Sequence, residues 1–112
     1  MKIQSKVENG IVRMRPGGRM TLDQITELDH AVREHLEQGA KKFVLNLSDV
    51  TDISSSGVGR LYQLHNTLQT SGGQLCLADL SQVCEYVLDL ARMTDVFAIF
   101  ATEEAAVAEL SH

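Results

Sequence analysis

Three consecutive serines separate an apolar segment from a helix-forming segment in the run Ile53-Ser54-Ser55-Ser56-Gly57-Val58-Gly59. The first turn of a helix carries unpaired backbone N–H groups and the positive end of the helix dipole. A serine there either caps the helix through its hydroxyl or carries a phosphate that the helix end stabilises. One cap needs one serine, so the sequence leaves both plain capping and a phosphorylated or partner-binding turn open.

Two glycines fall within the predicted first helical turn, at Gly57 and Gly59. Each costs about 1 kcal/mol of helix stability relative to alanine. Glycines are useful in this position when something must approach the backbone closely. The sequence does not distinguish a neighbouring strand from a partner protein in that role.

Other chemistries for this turn lack their sequence signals. The patterns Gly-x-Ser-x-Gly, Ser-x-x-Lys and Gly-x-x-x-x-Gly-Lys-Ser/Thr are absent around the triplet. Nothing in the spacing supports a triad of a serine with His65 and Asp52. We therefore predict a protein that is not an enzyme.

Cysteine and histidine spacing predicts neither a metal site nor a cofactor site. Cys76 and Cys84 lie eight positions apart, which fits no zinc or redox pair, so we expect two buried, reduced thiols. The four histidines form no ligand pattern and are expected on the surface or on helix flanks; they are His30, His35, His65 and His112.

Composition narrows the partner classes. The net charge is -5 without a block of Lys or Arg, which argues against nucleic acid because phosphate neutralisation needs clustered cations. No apolar run approaches the roughly 20 residues needed to cross a bilayer. The first residues lack the apolar stretch of a signal peptide. We expect a cytoplasmic protein without direct membrane insertion.

Hydrophobic periodicity predicts strands alternating with helices. Asn9-Gly10 between two alternating runs is typical of a hairpin turn, and Pro16-Gly17-Gly18 is expected to end the second strand. Thr21 and Gln24 have the spacing of a capping box. The predicted order is strand, strand, helix, strand, helix, strand, helix, strand, helix. This order indicates a single α/β domain over residues 1–112, with a mixed sheet of about four to five strands covered by about four helices.

The segment Leu47–Leu61 resembles the signature of the STAS domain family, in which an apolar strand leads into Asp-Ser-Ser/Thr-Gly-Leu-Gly and an amphipathic helix. The resemblance extends along the chain, to Gly18-Arg19-Met20-Thr21, to Phe43–Ser48 and to Gly72-Gly73-Gln74-Leu75. The family includes bacterial anti-sigma-factor antagonists and the cytosolic domains of sulfate transporters. The resemblance implies the fold described above.

The resemblance also implies a function. In antagonists of this type, an anti-sigma factor with serine kinase activity phosphorylates the residue before the first signature glycine, which is Ser56 here; Ser55 is the second choice. The unphosphorylated form binds the anti-sigma factor and releases sigma, whereas the phosphorylated form does not bind. A phosphatase is a further expected partner. The implied contact set is Met20, Thr21, Ser54, Ser55, Ser56, Gly57, Val58, Gly59 and Arg60.

Three positions depart from the family pattern, because Ser54, Thr21 and Asn46 stand where the family has acids. Either the partner differs from the usual one, or the substitutions are tolerated polar caps. Arg60, one helical turn after Ser56, either pairs with a phosphate or is a solvated charge. The alternative function is a constitutive STAS scaffold subunit of a transporter or signalling assembly, and a weaker one is nucleotide or small-molecule binding at the turn.

Overall fold

The computed structural model describes residues 2–111, which form one mixed sheet with helices on both faces. This architecture confirms the predicted α/β fold. In chain order the elements are β1 Lys2–Glu8, β2 Ile11–Met20, α1 Leu22–Glu37, β3 Lys42–Asn46, β4 Val50–Ile53, α2 Ser55–Thr70, β5 Gln74–Ala78, α3 Gln82–Leu90, β6 Ala98–Phe100 and α4 Glu103–Leu110.

The sheet runs in the order β1-β2-β3-β5-β6, with β4 paired to the end of β2. β1 is antiparallel to β2, and the other pairs are parallel. Asn9 and Gly10 join β1 to β2 with φ angles of 54° and 78°. Both angles lie in the left-handed region that a type I′ turn requires, so the predicted hairpin is confirmed.

Strand β4 raises the number of strands in the described part of the chain to six, against the predicted four to five. It is short, and its two central residues, Thr51 and Asp52, are both exposed. Two adjacent exposed residues break the period-two pattern by which a half-buried strand is predicted. The serine turn therefore follows the short strand β4 and not the apolar strand β3.

Strand β2 continues through Pro16 to Met20, so the prediction that Pro16-Gly17-Gly18 ends it is wrong. On one side, β2 pairs with β3 only through Met14, and its pairing with β4 begins at Gly18. Pro16 falls in the gap between these two partners. Proline, which has no backbone N–H, is tolerated at this position because neither β3 nor β4 requires a hydrogen bond from it.

The core lies mainly between the sheet and helices α1, α2 and α3. Phe43, Leu45 and Leu77 supply one face of the sheet, and Leu28, Leu61 and Leu88 are fully buried on the three helices. On the opposite face, Val44 and Cys76 pack with Ala106 and Leu110 of α4. This packing fixes the start of α2 at the carboxyl ends of β2 and β4. No helix within residues 2–111 is long and apolar enough to cross a membrane.

Candidate partner-binding turn at the start of helix α2

Ser54 is the N-cap of helix α2. Its backbone is extended, and its hydroxyl accepts a hydrogen bond of 3.0 Å from the Gly57 N–H. Its own N–H donates to the Met20 carbonyl at 3.3 Å, which ties the turn to the end of β2. The capping role that the sequence predicted for one serine of the triplet thus belongs to Ser54.

Ser55 and Ser56 occupy the first two helical positions and are both exposed. The Ser56 hydroxyl lies 3.1 Å from the Ser54 hydroxyl. The Ser55 hydroxyl forms no hydrogen bond with any residue in the described range. Neither of these two exposed serines is needed as the cap.

The two glycines of the turn differ in how much space their surroundings leave for a side chain. A Cβ on Gly57 would overlap the Met20 carbonyl oxygen, far inside van der Waals contact. A Cβ on Gly59 would meet no atom within 4 Å. Gly57 is therefore required by the neighbouring strand, whereas nothing in the described residues requires Gly59 to be glycine.

Part of the contact set implied by the STAS resemblance is inside the protein. Met20 is fully buried, and Gly57 and Val58 are buried as well. Met20 and Gly57 shape the turn from within and offer no side chain to a partner in this conformation, whereas Val58 lines the wall of a groove beside the turn. Thr21, Ser54, Ser55, Ser56, Gly59 and Arg60 remain at least partly accessible.

Arg60 is neither paired with Ser56 nor freely solvated. Its guanidinium donates to the Asp29 carboxylate of helix α1 at 2.9 Å, and its side chain is one-third exposed. Asp29 also accepts a hydrogen bond of 2.7 Å from Arg33. Asp29 would therefore stay paired with Arg33 if Arg60 turned towards a phosphate at the start of α2.

An apolar groove of about 560 Å³ opens beside the turn. Ser55, Val58 and Gly59 form its α2 side, and its opposite wall comes from the end of α3 and the loop that follows, with Val87, Leu90, Ala91 and Met93. Leu90 is 66% exposed. Leu90 follows Val83 and Val87 at helical spacing, and the structure shows that this apolar stripe of α3 extends past the core.

Comparison with known proteins places this geometry in a family. The sequence model that defines the STAS domain family matches residues 2–106 of this chain. The chain belongs to the STAS domain family. A Thermotoga maritima protein provisionally named an anti-sigma factor antagonist is 26% identical over 106 residues, which cover 94% of each chain.

Solved STAS structures share the fold at lower sequence identity. The crystal structure of a Thermotoga maritima protein with the same provisional name superposes with a TM-score of 0.88 at 24% identity, covering 98% of this chain and 95% of that one. The anti-sigma factor antagonist SpoIIAA in its unphosphorylated form gives 0.81 at 20% identity, covering 98% and 96%. The phosphorylated form of SpoIIAA from Bacillus gives 0.72 at 22% identity, covering 97% and 99%.

Two of the three departures from the STAS pattern lie at helix N-termini. Ser54 keeps the capping hydrogen bond without a charge. Thr21 occupies the N-cap position of α1, but its side chain forms no capping bond; its hydroxyl bonds to the Gln24 side chain instead. The predicted capping box is therefore incorrect in its bonding, since its two side chains contact each other and not the backbone.

The third departure, Asn46, is buried in a polar network on the α4 face of the sheet. Its amide nitrogen donates to Glu103 at 2.8 Å and lies 3.4 Å from Asp79. Glu103 also forms an ion pair of 2.5 Å with Arg13. An amide donor between two acids fits this network, whereas a carboxylate would repel both neighbours.

The same contacts set the ionisation of Glu103. Burial raises the pKa of its carboxyl, but the hydrogen bonds from Asn46 and Arg13 outweigh burial and lower the pKa below its ordinary value. Glu103 is therefore held as a carboxylate that anchors the first turn of α4 to the sheet.

Among the cysteines and histidines of residues 2–111, His65 departs from the prediction; His112 lies outside the described residues. His65 lies on the buried face of helix α2, whereas a surface or helix-flank position was expected. Its ring contacts the Phe97 ring edge-on, with 5.3 Å between the ring centroids. Burial lowers the pKa of His65 and raises the pKa of Cys76 and Cys84. Both thiols are buried and unpaired, as predicted. Within residues 2–111, no group of three or more His, Cys, Asp or Glu side chains is placed to hold a metal.

Proposed function

We propose that this protein is a cytoplasmic anti-sigma-factor antagonist, without enzyme activity of its own, that is switched off by phosphorylation of Ser56. In its unphosphorylated form it binds an anti-sigma factor with serine kinase activity and frees the sigma factor for transcription. The observation that carries the proposal is the pair of exposed serines, Ser55 and Ser56, at the start of a helix whose cap is already supplied by Ser54. The names of the relatives support the same role.

The switch acts through charge and bulk. The first turn of α2 contains no acidic residue, so the serine turn carries no negative side chain before phosphorylation. A phosphate on Ser56 adds about -1.5 to -2 charge to that surface. The helix N-terminus stabilises this charge within the protein, while the partner meets an anion where it had met a hydroxyl.

The groove beside the turn extends the proposed contact surface onto α3. Its lining carries no charged side chain, and it is continuous with Ser55 and Gly59. We infer that an apolar side chain of the anti-sigma factor enters the groove while the neighbouring serines face the partner's kinase site. Leu90, exposed and at the rim, is then a direct contact.

Phosphorylation is tested by incubating the purified protein with the candidate anti-sigma kinases of its organism and Mg-ATP, then mapping phosphate by mass spectrometry. We expect phosphate at Ser56, so Ser56→Ala should lose it; phosphate that persists in Ser56→Ala would assign the modification to Ser55, the second choice. Absence of phosphate from both serines would exclude the switch and leave the scaffold function.

Binding is tested by calorimetry with the same anti-sigma factor. We expect Ser56→Ala to bind like wild type and Ser56→Asp to lose binding at least tenfold, about 1.4 kcal/mol. The matched control is Asn66→Asp, which adds the same charge at an exposed position further along α2. Equal binding by Ser56→Asp and Asn66→Asp would contradict the switch.

The groove is tested by Leu90→Gln, with Tyr86→Gln as its control. Both side chains are about two-thirds exposed on α3, but only Leu90 lines the groove. We expect Leu90→Gln alone to weaken binding of the anti-sigma factor, while both variants keep the stability of wild type. Equal effects of the two changes would exclude the groove as a contact.

A further inference from the structure

Helix α2 has two different flanks at its start. Ser55 and Gly59, four residues apart, lie on the flank that lines the groove towards α3. Arg60 lies on the other flank, where its side chain reaches Asp29 of helix α1. Residues four apart on a helix are neighbours, with about 5–6 Å between their Cβ atoms. Ser56 therefore lies on the flank of Arg60, here called the α1 flank, and it does not line the groove.

The ion pair that Arg60 forms on the α1 flank is open to exchange. Its Nη2 atom donates to the Asp29 carboxylate at 2.9 Å, and one-third of the arginine side chain is exposed. Ion pairs at such partly exposed positions contribute little to stability, so a stronger anion within reach can displace Asp29. An anion at position 56 would stand four residues before the cation, which is the favourable order for a pair of opposite charges on a helix.

Asp29 does not depend on Arg60 alone. It is the more buried partner, and a carboxylate at such a position is costly to leave without a cation. Arg33 of the same helix donates to its other oxygen at 2.7 Å, and this bond is independent of α2. A phosphate, with up to two negative charges and three acceptor oxygens, offers the guanidinium a stronger partner than a shared carboxylate.

We propose that Arg60 is the phosphate-binding residue of the protein phosphorylated at Ser56, an inference that rests on the proposed function. Arg60 leaves Asp29, binds the phosphate and holds it on the α1 flank. A phosphate on Ser55 would lie on the groove flank and would not gain this cation. Arg19 and Asp52, at the ends of β2 and β4, form an exposed pair of 3.8 Å and act alike whichever residue stands at position 60.

The test installs phosphoserine genetically at position 56, or at position 55 as the matched control, so that no kinase is required. Phosphorus NMR of the intact protein then measures the second pKa of the phosphate, which is about 6 in the absence of special contacts. We expect Arg60→Gln to raise this pKa by about 0.5 or more at position 56, because the dianion loses a neighbouring cation. Arg60→Lys should keep most of the wild-type value, since it retains the charge. At position 55, Arg60→Gln should change the pKa by less than about 0.2.

A second variant tests the exchange of partners. Asp29→Asn removes the competing carboxylate, so it should lower the phosphate pKa at position 56 when Arg60 is present and have a smaller effect in the Arg60→Gln background. The proposal is overturned if Arg60→Gln leaves the pKa at position 56 unchanged, if it raises the pKa equally at positions 55 and 56, or if Asp29→Asn acts equally in both backgrounds. None of these results bears on the switch, which the kinase assay decides; absence of kinase phosphorylation would exclude the switch without altering these pKa values.

Discussion

Restoring the family acid at position 46 should damage this particular chain. In the structure, the Asn46 amide donates to Glu103 at 2.8 Å and lies 3.4 Å from Asp79. The change Asn46→Asp removes the donor and brings a third carboxyl group beside two others. The side chain keeps its size, so the effect is electrostatic and not a matter of packing.

The expected cost follows from three magnitudes. Loss of a hydrogen bond to a charged group costs about 1.5–3 kcal/mol. Two like charges about 4 Å apart repel by about 4 kcal/mol at an effective dielectric constant of about 20. The total penalty cannot exceed about 4 kcal/mol by much, because the protein can instead protonate one carboxyl, and protonating an ordinary carboxyl at pH 7 costs about 4 kcal/mol. We expect Asn46→Asp to lower the free energy of unfolding by about 2–4 kcal/mol at pH 7.

The pH dependence distinguishes charge repulsion from simple loss of a bond. The native state of Asn46→Asp binds an extra proton more readily than the unfolded state, so its deficit relative to wild type should shrink as pH falls from 7 to 5. Urea unfolding followed by far-UV circular dichroism measures both proteins. The control Asn46→Ala removes the donor, and with it the oxygen that accepts two hydrogen bonds from Ser48, without adding charge; its deficit should not shrink in this way.

Rescue completes the test. In the double variant Asn46→Asp with Glu103→Gln, one of the three carboxylates is neutral, so the two changes together should cost less than the sum of their separate effects. A deficit below about 0.5 kcal/mol for Asn46→Asp at pH 7, or strict additivity in the double variant, would refute this account of Asn46.

Three further predictions use the same unfolding assay. Gly57→Ala should lower the free energy of unfolding by about 1–3 kcal/mol, because the added Cβ overlaps the Met20 carbonyl oxygen. Gly59→Ala should raise it by about 0.5–1 kcal/mol, because alanine favours the helix and the added Cβ meets no atom. Similar effects at both sites would contradict this geometry. Ser54→Ala should cost about 1 kcal/mol and Ser54→Asp should not, since aspartate also caps; a harmless alanine would remove Ser54 as the cap. Wild type should lose stability as pH falls below about 6.5, because the lowered pKa of His65 lets the unfolded state take up the proton first. His65→Phe should lack this component, and an unchanged pH profile would show that His65 does not produce it.

Local patterns determined much of this protein. Asn9-Gly10 specified the hairpin because a two-residue turn with positive φ selects these residues. The apolar spacing of Val58, Leu61, Leu64 and Leu68 specified the buried face of α2. The serine triplet next to two glycines predicted a special helix start, and the STAS resemblance singled out Ser56 within it.

The tertiary structure decided what depends on neighbours distant in the sequence. It separated Gly57, which faces the Met20 backbone, from Gly59, which faces open space, although the two are alike in sequence. It placed Arg60 on Asp29, 31 positions away, and Asn46 on Glu103, 57 positions away. A pattern of single residues carries no information on such partners, because only the packing of α1, α2 and α4 on the sheet brings the groups together.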